Sequence, residues 1–588
     1  MSHEPTPPGE YAKILAQPRS LLELEKKDPR AAEALWHGLS RAERLRVVLA
    51  APPLERERLL TLAQDSQELV RALAPDEFAS TVLELGTHDA EMLVALSSDE
   101  QLNFLLDLTG WVREEFAPER FEAWLPLLLE AGSERVTRWL ANTSPEVLAL
   151  LLAHWVRVEK FLPSQDQQEP PDDLPDFTLD GVYFLEFRDP DTRDPVAQAL
   201  VVLKSELPDL YRTVLEAMLW ESGAGMAEDA LRWRLGRLAD LGFPGRMEAL
   251  ELWARPAPGE AAWEKLPPKD QLDFLVDEPP RSDVLLGLLP QEETLPALAG
   301  ELDQAGLDVL KAELAYVANC GVVALDADPA DPEAVRRAAA ESLGLVNLGL
   351  SRLAQGDHDR ARQILARLGL SALARQGAAA IRELNQRAWK LIREGWLKDI
   401  PTGLAVLDPP WDRWLAGLLF PRPRFFDPNL GEGRDYRAFR SLADLAEAAR
   451  RLEQVEFWGE LLFDLLAWDR TQVAAMLGGH TRSDPPQEIR LTHLVATWLA
   501  RRGLGLPGLA PLAREQVVPA ALCLQKGLGH GLDAELMTSL EALGDPGKAQ
   551  LAGEALRGVL GRLREDFRAL EPEKGLDPRY TPWLVMES

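Results

Sequence analysis

Helix-start signals recur at short, nearly even intervals between Trp36 and Lys160, and this spacing constrains the fold more than any other feature of the chain. Ser40, Pro52, Asp65, Pro75, Thr87 and Ser98 follow one another at gaps of ten to thirteen residues. Each opens a brief amphipathic run, among them Leu45/Val48/Leu49, Leu59/Leu60/Leu62, Phe78/Val82/Leu83 and Leu102/Leu105/Leu106. Ser40 with Glu43 and Ser98 with Gln101 fit the capping box, in which side chain and backbone satisfy each other's orphan N–H groups. Pro75, Pro118 and Pro145 stand where a first helical turn tolerates proline. Helices of two or three turns do not persist alone and must bury their apolar stripes on neighbours. The expected fold is all-α: an N-terminal, α-solenoid-like superhelix of short stacked helices, then a larger irregular helical body with at most a minor β element.

Leu and Ala dominate the composition, and straight-chain residues lose little rotamer freedom in a helix. At 588 residues the chain has room for several compact units, taking about 100–200 residues for each. Acids outnumber bases by 95 to 64, a net charge of −31. That surface opposes nucleic acid, whose binding rests on Lys and Arg displacing counterions, and it opposes anionic membranes. The two cysteines, Cys320 and Cys523, are too few for a disulfide framework or a Cys-based zinc site. The first residues lack a basic stretch followed by an apolar one, so no signal peptide is expected. Apolar runs such as Val147–Ala153 are far shorter than the roughly 20 residues that span a bilayer. No membrane insertion and a cytoplasmic location are therefore expected.

The composition along the chain suggests a domain map. Residues 1–35 read as an extension with one helix, and 36–161 as the superhelical domain. Residues 162–177, with four prolines and five acids, read as a linker and the main boundary. A central helical domain is expected over 178–399, with one strand candidate, Val182–Phe187, that has no evident partner. An irregular Arg/aromatic loop covers 400–440 and a C-terminal helical domain 441–588. Within the central domain, Leu348, Gly349, Gly356 and Ala361 make residues 345–370 resemble a single tetratricopeptide hairpin, with Arg352 where that repeat usually has Tyr.

Two wider resemblances rest on short stretches. The Pro-Asp-Glu-Phe start at 75–78, the Ser-Asp-Glu-Gln-Leu start at 98–102 and the leucine spacing between them resemble the superhelical cytosolic N-domain of MgtE-type magnesium channels, and the related domains of flagellar rotor switch proteins. That resemblance implies a shape and no transport role. The layout of most of the chain is similar to a bacterial family known only as a domain of unknown function, through Thr178-Leu-Asp-Gly-Val-Tyr, Arg232 to Pro244, and Tyr436 to Leu442. Such a family implies no activity or cofactor.

No P-loop, dinucleotide fingerprint, Gly-x-Ser-x-Gly elbow or His-Glu-x-x-His stands in the sequence. The eight histidines, at 3, 37, 88, 154, 358, 480, 493 and 530, include no pair at the helical spacing that would aim two imidazoles at one metal. No catalytic residue and no cofactor are expected. Three features remain. Glu460 and Asp464 are the only polar side chains in a run from Phe457 to Trp468, and their spacing puts both on one helix face. If buried, they need Arg partners or a cation. The stretch 421–440 interleaves Arg422, Arg424, Arg434, Arg437 and Arg440 with Phe425, Phe426, Tyr436 and Phe439, a composition that suits anions or a protein interface. Glu228 to Asp240 carries Arg232, Arg234 and Arg237 around Trp233, with Glu228 placed to pair with Arg232. The leading functional expectation is a non-enzymatic scaffold or adaptor for another protein. The alternatives are a regulatory sensor that binds a small anion or metal ion between domains, and an enzyme whose site assembles from separated residues.

Overall fold

The computed structural model describes residues 8–62, 64–162, 169–269, 281–431, 433–479, 487–540, 546–571, 581 and 583–587. His3, His480, Glu432, part of the expected linker and most of the tail beyond 571 lie outside the described residues. The fold is all-α with minor β structure: 28 helices and seven short strands among the described residues. Two compact units divide the chain, Met1–Arg375 and Gln376–Ser588.

The first unit begins with three helices where one was expected, Pro8–Ala16, Arg19–Lys27 and Pro29–His37. Asp28 separates the last two: its carboxylate accepts from the Ala31 N–H and caps the third helix. Beyond it the short helices begin where the signals put them, at Arg41, Pro53, Ser66, Pro75 and Asp99. Both capping boxes form, Ser40 with Glu43 and Ser98 with Gln101. Thr87 is the exception, because a turn intervenes and the helix opens at Glu91. The helices pack alternately in two rows. Pro53–Thr61, Pro75–Leu85, Asp99–Thr109 and Ser133–Asn142 follow one another in one row; Ser66–Arg71, Glu91–Leu96 and Trp124–Glu130 form the other. Trp36, Phe78, Leu59 and Val136 are among the side chains sealed in the shared core.

The expected linker does not separate domains. Val156–Lys160 (β3) pairs antiparallel with Tyr183–Phe187 (β5), which also pairs with Phe177–Thr178 (β4). The described strands on either side of that stretch thus belong to one three-stranded sheet within the first unit. The strand candidate at 182–187 has a partner after all. It was hidden because Val156–Lys160 follows directly on the helix Pro145–Trp155, with no turn residue to mark where the strand begins.

Two smaller departures matter for the site described below. A two-residue loop, Arg113-Glu114, joins Trp111–Val112 (β1) to Glu115–Phe116 (β2). Arg113 has φ +59°, the left-handed conformation that so tight a hairpin demands and that a non-glycine residue adopts at a cost. The later helices are also long: Gln304–Ala324 and Pro332–Ala354 cross so closely that a Cβ on Gly321 would lie 2.8 Å from the carbonyl oxygen of Ala338. The expected hairpin at 345–370 exists as the end of Pro332–Ala354, a turn at Gln355-Gly356, and the two-turn helix His358–Leu365.

In the second unit, Leu442–Gly459 packs on Trp411–Leu419 and on Pro546–Ala569, and Leu491–Gly503 packs on Val517–Gly527. Trp411, Trp414, Trp458, Phe425 and Phe439 are buried here. The supposedly irregular 421–440 stretch contains a hairpin, Phe425–Phe426 (β6) with Tyr436–Arg437 (β7).

Candidate functional site

A cleft in the first unit has the chemistry of a site, and the helix Gly223–Asp240 places its central residue. The buried stripe of that helix runs Met226, Ala230, Arg234, Leu238 in steps of four. A guanidinium in an apolar stripe must find acceptors. Arg234 Nε donates to the Asp107 carbonyl at 2.7 Å and Nη1 to the Arg113 carbonyl at 3.3 Å. Its guanidinium carbon lies 5.1 Å from the centroid of the Trp111 ring. The side chain therefore ties the helix to the β1–β2 hairpin and stabilises the left-handed residue at its tip.

The Asp107 carboxylate does not bond Arg234. Arg237 takes it in a two-pronged grip, Nε to Oδ2 at 2.7 Å and Nη2 to Oδ1 at 2.8 Å. Burial lowers the Arg234 guanidinium to about 10, with Asp107 acting against the shift, so it stays charged at neutral pH. Burial likewise raises the Asp107 carboxyl, against the pull of Arg237 and Arg234. Arg234 is 7% exposed, yet its Nη2 is neither hydrogen-bonded among the described residues nor sealed off. The side chain lines a cleft of about 700 Å³.

Leu108, Leu238, Phe243, Val322 and Val323 give the cleft apolar walls. Three of its seven charged lining residues are matched in ion pairs. Arg246 pairs with Asp326, and Arg120 grips Asp328 through two bonds at 2.9 and 2.6 Å. Glu114 and Glu115 are exposed on the hairpin at its edge. A second, mainly apolar chamber of about 190 Å³ shares Leu108, Phe243, Val322 and Pro329 with the cleft.

The residues singled out from sequence fall differently. Glu228 and Arg232 pair at the surface, Trp233 is exposed, and Arg237 holds Asp107. Only Arg237 of that set touches the site. Arg234 was visible among the arginines of this stretch but carried no separate role, although its place in the four-residue stripe marked it as inward. Glu460 is half-buried and paired with Lys548, and Asp464 is exposed. The condition that would have demanded Arg partners or a cation is therefore not met there.

In the 421–440 hairpin, Arg437 is structural. It donates to Asp427 at 2.8 Å and to Asp444 at 2.7 and 2.8 Å, and lies 4.2 Å from the Phe425 ring centroid. The Tyr436 hydroxyl donates to the Arg413 carbonyl, and Arg434 is exposed. Arg422, Arg424 and Arg440 have interactions of their own. Among the described histidines, His493 is the most enclosed: its Nδ1 accepts from the Arg490 N–H at 3.0 Å, and burial, with Arg490 adding, lowers it to about 4. No group of three His, Cys, Asp or Glu that could hold a metal occurs among the described residues. Nor is any helix among them long and apolar enough to cross a membrane.

A model of the family of unknown function DUF6178 matches residues 33–587. The chain belongs to the DUF6178 family. The match takes in the cleft, both units and nearly every described element. No curated protein and no solved structure matches the chain. These comparisons give no support to the resemblance of 36–161 to the MgtE-type N-domain. The resemblance to a family of unknown function rests on firmer ground.

Proposed function

We propose that this DUF6178 chain is a binding protein, a sensor that takes a small organic anion into the cleft of its first unit. The observation that carries the reading is Arg234: a buried, charged guanidinium with spare N–H donors, facing a cavity, while the nearest carboxylate is held by Arg237. Burial opposes the guanidinium charge, Asp107 and Glu114 offset this only through space, and a charge-assisted bond from an anion would offset it further. The cleft volume falls within the range of small-molecule sites, and its apolar walls favour an organic ligand over a bare inorganic ion.

The test is thermal unfolding of the full chain with benzoate, phosphate or sulfate, beside Arg234→Gln checked for helicity by circular dichroism. Benzoate should raise Tm more than the inorganic ions do, by about 2.7 kcal/mol of stabilisation at a hundred times Kd. The rise should disappear in the variant. An unchanged Tm with all three anions, or an equal rise in the variant, would sink the reading.

A scaffold role has one observation in its favour. Trp220, Trp233 and Met247 are 77%, 60% and 80% exposed on the same unit, and large apolar side chains left in water suit a protein partner. Replacing all three by Ser should abolish recovery of a stoichiometric partner from the host. Recovery unchanged would remove these side chains from the account.

A further inference from the structure

We infer that the ligand is an amphiphile: a singly charged head, such as a carboxylate, on Arg234, and an apolar chain that passes Phe243 into the second chamber. This rests on the cleft reading and adds the ligand class to it.

The second chamber is adjacent to the cleft, and the two share side-chain walls at Leu108, Phe243 and Val322. Phe243 forms part of the partition. It lies in the turn after the helix Gly223–Asp240, beyond Gly242 at φ +81°, and its ring meets Phe104 edge-on at 5.6 Å. Alanines leave the chamber open: Ala315 and Ala318 on one long helix, Ala339 on the next, and Ala79 opposite. The acids near its margin are matched, Asp76 by Arg281, Glu84 by Arg336, and Glu77 by Arg56. An empty apolar cavity costs stability in proportion to its size. Walls that are mainly apolar favour an apolar guest.

The edge of the cleft argues for the head. Glu114 and Glu115 stand on the hairpin tip, and Glu114 is close enough to act electrostatically on Arg234. They repel a doubly charged phosphate more than a carboxylate. The unbonded Nη2 of Arg234 also suits one carboxylate better than a larger cluster of anionic oxygens.

Isothermal titration of the full chain with butyrate, octanoate and dodecanoate, each below its micelle concentration, separates head from tail. Affinity should rise steeply from butyrate to dodecanoate, by up to about fourfold for each methylene that becomes buried. Ala318→Phe should cancel most of the gain from octanoate to dodecanoate and leave butyrate unchanged. Arg234→Gln should weaken all three by a similar factor, about tenfold. If Ala318→Phe does not fold, Ala339→Leu on the facing helix makes the same test. Equal affinity for the three lengths, still dependent on Arg234, would overturn the amphiphile and leave the anion site standing. A length dependence untouched by either chamber variant would overturn the route past Phe243. No binding of any of the three would overturn both readings.

Discussion

Arg237 holds the Asp107 carboxylate by two parallel bonds, and so leaves Arg234, one turn earlier on the same helix, bonded only to carbonyl oxygens. A bidentate pair is geometrically selective. The arrangement allots one acid to one arginine and keeps the other available.

Asp107→Asn tests that allotment. The amide keeps the shape and loses the charge, which strands the Arg237 guanidinium. Removing one member of a buried pair costs about 3–5 kcal/mol. Arg237 keeps 39% of its side-chain exposure, so a loss of about 2 kcal/mol in urea unfolding is expected. Anion binding should survive, because Arg234 bonds the backbone of residue 107 and not its side chain. Loss of binding at unchanged stability would reverse the roles assigned to the two arginines.

His493 makes the second unit sensitive to mild acid. Its folded value is about 4, below the ordinary 6.5, because burial disfavours the imidazolium. The unfolded chain therefore takes up a proton first as pH falls. The stabilisation is complete above 6.5 and is lost progressively between 6.5 and about 4. The whole effect is about 3 kcal/mol, at 1.4 kcal/mol per pH unit. His493→Asn, whose side-chain oxygen can still accept from Arg490, should flatten urea midpoints across that window. A slope equal to the wild type's would assign the acid sensitivity to other groups.

Glu460 and Asp464 should matter little. Asp464 is exposed, and the Glu460–Lys548 pair lies a third or more in solvent on both sides. Surface pairs of this kind contribute about 0–1 kcal/mol. Glu460→Gln, Asp464→Asn and the double variant should each remain within about 1 kcal/mol of wild type in chemical denaturation. A much larger loss in either single variant would mean that this face is covered.

These outcomes show which signals were local. The capping boxes at Ser40 and Ser98 involve residues three apart, so they could be read directly from the letters and they form. β3 and β5 pair across more than twenty intervening residues, and nothing in Val156–Lys160 alone names its partner. The arginines of 421–440 were visible as a composition suited to anions. Arg437 instead meets Asp427 and Asp444, ten residues before and seven after, and turns inward. The site was legible only as a stripe: Arg234 continues the four-residue step of Met226 and Ala230, while its partners at 107, 111 and 113 come from a distant part of the chain.

The crossing at Gly321 has a mechanical consequence for the cavity. Val322 and Val323, which follow it, form one wall of the cleft, and Gly321 seats their helix against Ala338 and Ser342 with no room for a single methyl. Helices locked at that distance cannot slide past one another without a clash, so this wall acts as a fixed jaw. The opposing jaw is a hairpin of two-residue strands fastened through one arginine. Whatever widens the cleft must bend that short arm, because the long helices behind it have no travel.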